Sequence, residues 1–467
     1  MKDTKRRLEM FSFYDHTAIQ AHLEKMARQG WMIDSISNFG WRYRKIAPKE
    51  LHFAVSYYPK ASEFDPEPAE DQKTFIDFCA HTGWQLACTS AQMQIFYNDR
   101  ENPVPIETDP ALEVSTIHAA AKKNFLPAYA VLTALGLFQI FLMTGSILND
   151  PIGLLSSTST LVSASCWIIL LVLCMVEITG YFRWHHKAKQ AAEHGEFLTV
   201  RGHTWLTWLC LGLVILTFIG WILSTVFSEN RLTQLVTLLV LLYMALLIAL
   251  VNGVKRLMKK WKFARNVNRT VTFVSSFLLA FLMMAGVVWL SLQAYSGGFL
   301  EPGAETYEYM GQTRILYQDE LPLTIEDLAD VDFDGYTRER SVSESPLLAE
   351  MTVYQRPRLD SDSYDRIPSL SYYIVIVKAG FLYDWCRQTM FDKGDQTNNS
   401  RVPEGYKNVY EPQDPAPWGA REAYRLIGPD GSPYNRYLLC YDSRIIGIWF
   451  DWEPTPAQMA VTGEKLS

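Results

Sequence analysis

The chain has 467 residues and carries 43 Lys and Arg against 50 Asp and Glu, so it lacks the basic excess that direct nucleic-acid binding requires. Its 49% hydrophobic content and mean hydropathy of -0.02 look like those of an ordinary globular protein, but the averages hide an uneven distribution. Residues 1–120 hold 13 Lys/Arg and 17 Asp/Glu, residues 121–294 hold 14 and 5, and residues 295–467 hold 16 and 28. Two acidic ends flank an apolar, basic middle.

The first residues, Met1 to Phe13, are basic, and no apolar run of seven or more follows them. A secretory signal needs such a run, so residues 1–120 are expected to form a cytoplasmic domain. Two stretches of this domain read alike. His16–Gly30 has helical apolar spacing at Ile19, Leu23 and Met26, stops at Gly30 and leads into Trp31; Gln72–Gly83 does the same with Phe75, Ile76 and Cys79, stopping at Gly83 before Trp84. A second strand follows each time, at Trp41-Arg-Tyr-Arg and at Ile95-Phe-Tyr. Between the copies, Leu51–Tyr58 has strand propensity. The pattern predicts α-β-β-β-α-β-β, an α+β domain with one antiparallel sheet and both helices on one face. A helix over Pro110–Asn124 then feeds the apolar block.

Five stretches are long and apolar enough for a hydrocarbon core of roughly 30 Å: Phe125–Leu148, Leu161–Tyr181, Trp205–Phe227, Leu235–Val254 and Val271–Ala294. In lipid the backbone must satisfy itself, which makes each a helix and residues 121–294 a five-helix transmembrane domain. Loop charge predicts the orientation. Loop 1 (Asn149–Thr160) has no Lys or Arg and loop 3 (Ser228–Gln234) has Arg231 alone. Loop 2 (Phe182–Thr204) has Arg183, Lys187, Lys189 and Arg201; loop 4 (Lys255–Thr270) has seven cations, among them Lys255, Lys262 and Arg265. The positive-inside rule then puts the N-terminus and loops 2 and 4 in the cytoplasm, and residues 295–467 outside the cell membrane.

The C-terminal segment reads as an α+β domain with a single core. Tyr372–Lys378 is a strand and Ala379–Phe391 a helix. Tyr434–Tyr441 and Arg444–Trp452 form a hairpin, Pro456–Leu466 closes as a helix, and Asp392–Pro417 is a long exposed loop.

The run Leu23-Glu-Lys-Met-Ala-Arg-Gln-Gly-Trp31 and the aromatic strands after it resemble the bacterial domain-of-unknown-function 2812 family. Two downstream stretches also look like the family: Leu321-Pro-Leu-Thr-Ile-Glu-Asp-Leu328, and Trp418-Gly-Ala-Arg-Glu-Ala-Tyr424 with the hairpin after it. The resemblance implies a multi-span membrane protein, often encoded beside PadR-type transcriptional regulators. It implies no activity, and its motifs look structural.

No G-x-S-x-G, H-E-x-x-H, Walker loop or dinucleotide fingerprint occurs, so no enzyme is expected. Cys79 and Cys88 lack C-x-x-C spacing and read as core residues. Asp330, Asp332 and Asp334 precede Gly335 at alternate positions, as in calcium loops, but the twelfth position is Ser341 rather than Glu, with Glu339 two residues early; an acidic loop is the competing reading. Glu177 is an intramembrane carboxylate, expected near the cytoplasmic end of its span, where it is either functional or reaches water, Arg183 or a loop 4 cation. His185, His186, His194 and His203 share loop 2 without a zinc-ligand pattern. Cys386 and Cys440, the two cysteines of the C-terminal domain, are expected to form a disulfide there, with free core thiols as the alternative. The favoured function is a non-enzymatic transmembrane sensor or regulatory protein, with membrane lipid around it, a cytoplasmic protein partner such as a PadR-type regulator, and no cofactor except calcium if the acidic loop binds it. The alternative is a transporter or transport-accessory subunit.

Overall fold

A computed structural model of the chain describes residues 3–37, 40–200, 204–227, 231–295, 305–331, 333–359, 367–397 and 402–467. The chain divides into two compact units: Met1–Gln139 with Ser165–Ile219 and Leu238–Ala285, and Ile140–Ala164 with Gly220–Thr237 and Gly286–Ser467.

The first unit opens with a strand that its sequence hides. β1 (Thr4–Arg7) is wholly exposed and reads TKRR, with no apolar alternation. It forms because β3 (Gly40–Lys45) offers it an edge, and it pairs antiparallel from Thr4↔Arg44 to Arg7↔Trp41. Between them lie α1 (His16–Arg28) and β2 (Trp31–Ser37), which pairs with the other side of β3. The same order follows: β4 (His52–Tyr57), α2 (Glu70–His81), β5 (Gln85–Ser90) and β6 (Met93–Asn98). The internal repeat is therefore β-α-β-β twice over. The Leu51–Tyr58 stretch begins the second copy instead of separating the two. The expected single sheet is two three-stranded sheets, β1-β3-β2 and β4-β6-β5, with β2 alongside β5.

The copies share fine detail. Each has a β-bulge at the same place after its glycine, between Ile33 and Ser35 in one and between Leu86 and Cys88 in the other. Gly30 and Gly83 both adopt positive φ, 83° and 93°, to end their helices. At Gly30 a Cβ would also press on the Ile46 carbonyl at 3.0 Å. α1 lays Ile19, Leu23 and Met26 against Phe53, Val55 and Tyr57 of the second copy's first strand, in one core with Ile33 and Tyr43.

α3 (Pro110–Ala120) starts with Pro110 at its first position and Asp109 capping the Ala111 amide at 2.8 Å. A π-helical turn, Ala121–Phe125, joins it to α4 (Leu126–Asn149). α5 (Pro151–Ser156) follows, then α6 (Thr158–Glu193), α7 (Thr204–Val226), α8 (Arg231–Lys260) and α9 (Arg265–Tyr295). Among the described residues, five helical stretches are long and apolar enough to cross a membrane. Large apolar side chains stand exposed along them, Phe141, Leu216, Leu238 and Phe277 among them, the reverse of a helix packed in a soluble core. Two expected loops are largely helix. α6 runs on through His185 and His186 to Glu193, and only residues 261–264 separate α8 from α9. At 36 residues α6 is about 54 Å long, well beyond the ~30 Å that a bilayer core needs.

In the second unit, after the hairpin β7 (Thr306–Tyr309) and β8 (Gln312–Ile315), come β9 (Tyr336–Glu344), β10 (Leu348–Pro357), β11 (Leu370–Val377), α10 (Tyr383–Gly394), β12 (Val409–Gln413), β13 (Glu422–Ile427), β14 (Pro433–Cys440), β15 (Arg444–Phe450) and α11 (Pro456–Leu466). Seven strands make one antiparallel sheet in the order β12-β13-β14-β15-β11-β10-β9. β12 lies inside the stretch expected to be an exposed loop, and a single 3-10 turn, Ile325–Asp327, stands ahead of Asp330. The single core expected here is two. β11 turns Leu370, Tyr372 and Ile374 to one face, under Leu323, Ile325, Trp418 and α11. It turns Val375 and Val377 to the other, under Leu382, Cys386 and Met390 from the α10 segment and Ile152 of α5. The Leu321–Leu328 and Trp418 stretches are thus packing elements: the Leu323 N–H donates to the Tyr372 hydroxyl, which in turn donates to the Leu323 carbonyl, both at 3.0 Å.

Candidate functional site

The most unusual chemistry in the first unit lies where α6 leaves the apolar block. Glu177 is 6% exposed. An isolated carboxylate in such surroundings is costly unless something compensates it. The compensation is neither Arg183 nor a loop 4 cation, as the sequence led us to expect: the Ser12 hydroxyl donates to Glu177 Oε1 at 3.0 Å, and Oε2 is buried without a hydrogen-bond partner. Nor is Glu177 near a helix end, since α6 continues to Glu193.

A turn places Ser12 there. The Ser12 amide donates to Asp15 Oδ2 at 3.0 Å and the Asp15 amide to the Ser12 carbonyl at 3.0 Å, which folds the chain just ahead of α1. The turn delivers two aromatics. Phe13 stacks on Phe125 with centroids 5.5 Å apart, and its carbonyl accepts from the Tyr57 hydroxyl at 2.5 Å. Tyr14 stacks on Trp184 at 5.9 Å, and its hydroxyl is pushed up to about 12 by burial and by the Glu177 charge beside it. Gly180, one turn beyond Glu177, has no side chain to obstruct that hydroxyl.

Further along α6 the cluster continues. His16 sits between the Tyr14 carbonyl, 3.1 Å from Nδ1, and Glu113, 3.3 Å from Nε2. His118 and His185 stack at 4.1 Å with planes 12° apart, and His118 Nδ1 lies 2.5 Å from the Tyr181 hydroxyl. A small cleft between His16, Glu113, Trp184 and Phe197 has room for about one water. His194 is exposed, with Nδ1 2.8 Å from the Gln190 carbonyl; His203 and Arg201 lie outside the described residues.

A second polar junction ties the same unit to the basic turn between α8 and α9. Arg265 grips Asp65 with both guanidinium edges, at 2.7 and 2.8 Å, and also donates to the Lys60 carbonyl. Lys255 reaches Glu63 at 2.7 Å, Lys262 reaches Glu67 at 2.6 Å, and Asn268 donates to the Phe64 carbonyl at 3.0 Å. Three of the seven loop 4 cations therefore hold the acidic stretch between β4 and α2. Charge counting along the sequence could have found complementary runs here, though not their pairing.

The remaining sequence candidates are dispersed. Asp330 and Asp334 are exposed after the Ile325–Asp327 turn, and Asp332 lies outside the described residues. Among the described residues, no three His, Cys, Asp or Glu stand together as a metal site. Cys386 and Cys440 share one apolar cluster but are free thiols, not the expected bridge. Burial pushes them up to about 11 and 12, as it does Cys79 and Cys88, so all four pack as inert core groups.

No curated protein and no solved structure matches this chain. One family model does, over residues 15–129, from the turn at Asp15 through both copies of the repeat and into α4; the downstream stretches that resembled the family lie outside the match. Over residues 15–129 the chain is similar to the family described as Protein of unknown function (DUF2812).

Proposed function

We propose that the protein is a non-enzymatic transmembrane sensor or regulatory protein whose moving part is α6. The observation that carries this reading is that one unbroken helix has residues in the packing of both units. Near its start, Thr158 donates to the Glu344 carbonyl at 2.8 Å. Near its end, Tyr181, Trp184 and Ala188 belong to the same buried core as α1 and the first sheet. A continuous helix is stiff over this length, so a shift or rotation imposed at one end displaces core residues at the other instead of being absorbed by a loop.

The charge pattern supports an orientation. Cations cluster in the C-terminal part of α6 and around the α8–α9 turn, which favours a cytoplasmic N-terminus, and with five crossings residues 295–467 would then lie outside the cell membrane. On that reading the outer domain meets a ligand or envelope partner, and the inner β-α-β-β repeat meets a cytoplasmic protein; a PadR-type regulator is the partner that the family resemblance implies. The second reading, a transporter or transport-accessory subunit, has the buried Glu177 in its favour.

Alkaline phosphatase fused after Ser467 should be active and fused after Lys262 silent; the reverse pattern would invert the orientation. Affinity purification from membranes separates the two functions. A DNA-binding protein that co-purifies, and is lost with Trp184→Ala, supports regulation; a co-purifying ATPase subunit supports transport.

A further inference from the structure

We propose that the α10 segment lies in the interfacial layer of the bilayer, with Phe381 and Trp385 inserted among lipid headgroups as an aromatic anchor. The proposal rests on the reading that the five apolar helices span a membrane.

The geometry comes from the ties at the two ends of the segment. α5 is the six-residue connector between the end of α4 at Asn149 and the start of α6 at Thr158. At one end, Lys378 donates to Glu344 Oε1 at 2.5 Å, and the carbonyl of that same Glu344 accepts from the Thr158 hydroxyl at 2.8 Å. At the other end, Lys393 reaches Asp150, the residue after α4, at 3.1 Å. The stretch 378–393 is thus pinned near both points where the chain enters an apolar span. α5 itself is fixed to the sheet by Ser156, which donates to Glu350 at 3.0 Å, and by the Leu155 carbonyl, which accepts from Ser345 at 2.6 Å. α5 and α10 both cover the same face of the sheet, with Ile152 and Cys386 in one cluster.

The faces of the helix then follow. Leu382, Cys386 and Met390 are buried against the sheet. Tyr383 and Arg387 mark one flank, bonded to the Tyr441 carbonyl at 2.5 Å and to Glu422 at 2.9 Å, so that flank faces β13 and β14. Trp385 precedes Arg387 by two positions, about 200° around α10, and Phe381 precedes Tyr383 by two from within the 3-10 turn Gly380–Leu382 that leads into α10, about 240° at three residues per turn. They therefore occupy the opposite flank, toward β10 and β9, where α5 and the span ends lie. They are 82% and 41% exposed. Exposed aromatics at the level where spans begin are what an interface selects, because an aromatic ring gains from the headgroup region without entering the hydrocarbon.

The test uses the full chain in lipid vesicles. Nitroxide labels are placed singly at Phe381→Cys and Trp385→Cys, each leaving the other aromatic in place. References are Phe277→Cys, 73% exposed on α9, and Tyr406→Cys, 73% exposed in a loop of the second unit. Collision with oxygen, which concentrates in lipid, is compared with collision with a water-soluble nickel chelate. The Phe381 and Trp385 labels should show an oxygen-to-nickel ratio several-fold above that of Tyr406 and below that of Phe277. A ratio equal to that of Tyr406, with Phe277 still lipid-like, would overturn the anchor while leaving the spans intact. Shielding of both labels from both reagents would overturn it in favour of a protein surface, a second copy included. A water-like Phe277 would overturn the spanning reading and the anchor with it.

Discussion

The two units use antiparallel sheet in opposite ways. In the first, the sheet core is completed by residues of the long helices themselves: Phe125, Tyr181, Trp184 and Ala188 are as much part of it as Leu23 or Ile33. In the second, the seven-stranded sheet is covered on both faces largely by its own chain, and the connector α5 adds Ile152 to one cluster. The first unit shares its core with its helices, whereas the second has most of a core of its own.

The largest expected effect tests that contrast. Trp184→Ala should cost roughly 3–5 kcal/mol and Ile152→Ala roughly 2–5 kcal/mol, as deletions of buried side chains do. The first should strip hydrogen-exchange protection from α1 and the second from α10. Protection of α1 that survives Trp184→Ala would mean that the first unit folds independently of α6.

A smaller effect is expected at the acidic junction. Asp65 and Arg265 are partly exposed, so Arg265→Ala should cost about 1 kcal/mol in spite of the two-pronged geometry. Asp65→Asn should cost about the same, and the double variant little more than either alone, because both remove one interaction. Full additivity would show that the pair is not coupled.

Acid should separate the units by sign. In the second unit, burial alone would raise Glu326, but hydrogen bonds from Gln355 and Arg338 outweigh it and hold the carboxyl below its ordinary value. Its contribution is present above pH 4.5 and is lost as pH falls through the lowered value. In the first unit, burial raises Glu107 above 4.5, so its contribution is lost as pH rises through the raised value. Because Gln mimics the protonated acid, melting curves of Glu326→Gln and Glu107→Gln should both meet the parent near pH 3 and diverge from it toward pH 7 with opposite sign, the first less stable than the parent and the second more stable. Divergence of the same sign would break the comparison.

For the acidic loop, millimolar calcium should raise the melting temperature slightly if Asp330, Asp332 and Asp334 hold the ion, and Asp332→Ala should abolish the rise. An unchanged transition would leave an ordinary acidic loop. Reductant should change nothing: seven thiols per chain should react in the denatured, unreduced protein, and five would restore the Cys386–Cys440 bridge.

Much of the fold was legible because water and lipid act on side chains one at a time. The five apolar stretches, the glycine stops at Gly30 and Gly83, the strand at Tyr372, the hairpin after Tyr434 and the closing helix from Pro456 all stand where local pattern puts them. What stayed hidden depends on partners far along the chain. TKRR is a strand only because β3 has an open edge, and the polar β9 (YTRERSVSE) is one only because β10 lies beside it. The polar end of α6 reads as a loop until Trp184 is seen to complete a distant core, and no spacing rule joins Ser12 to Glu177 across 165 residues. Sequence by itself determined which segments avoid water. Tertiary structure decided which groups meet once they do, because edge pairing and buried-charge compensation are satisfied by whatever the fold brings within about 3 Å.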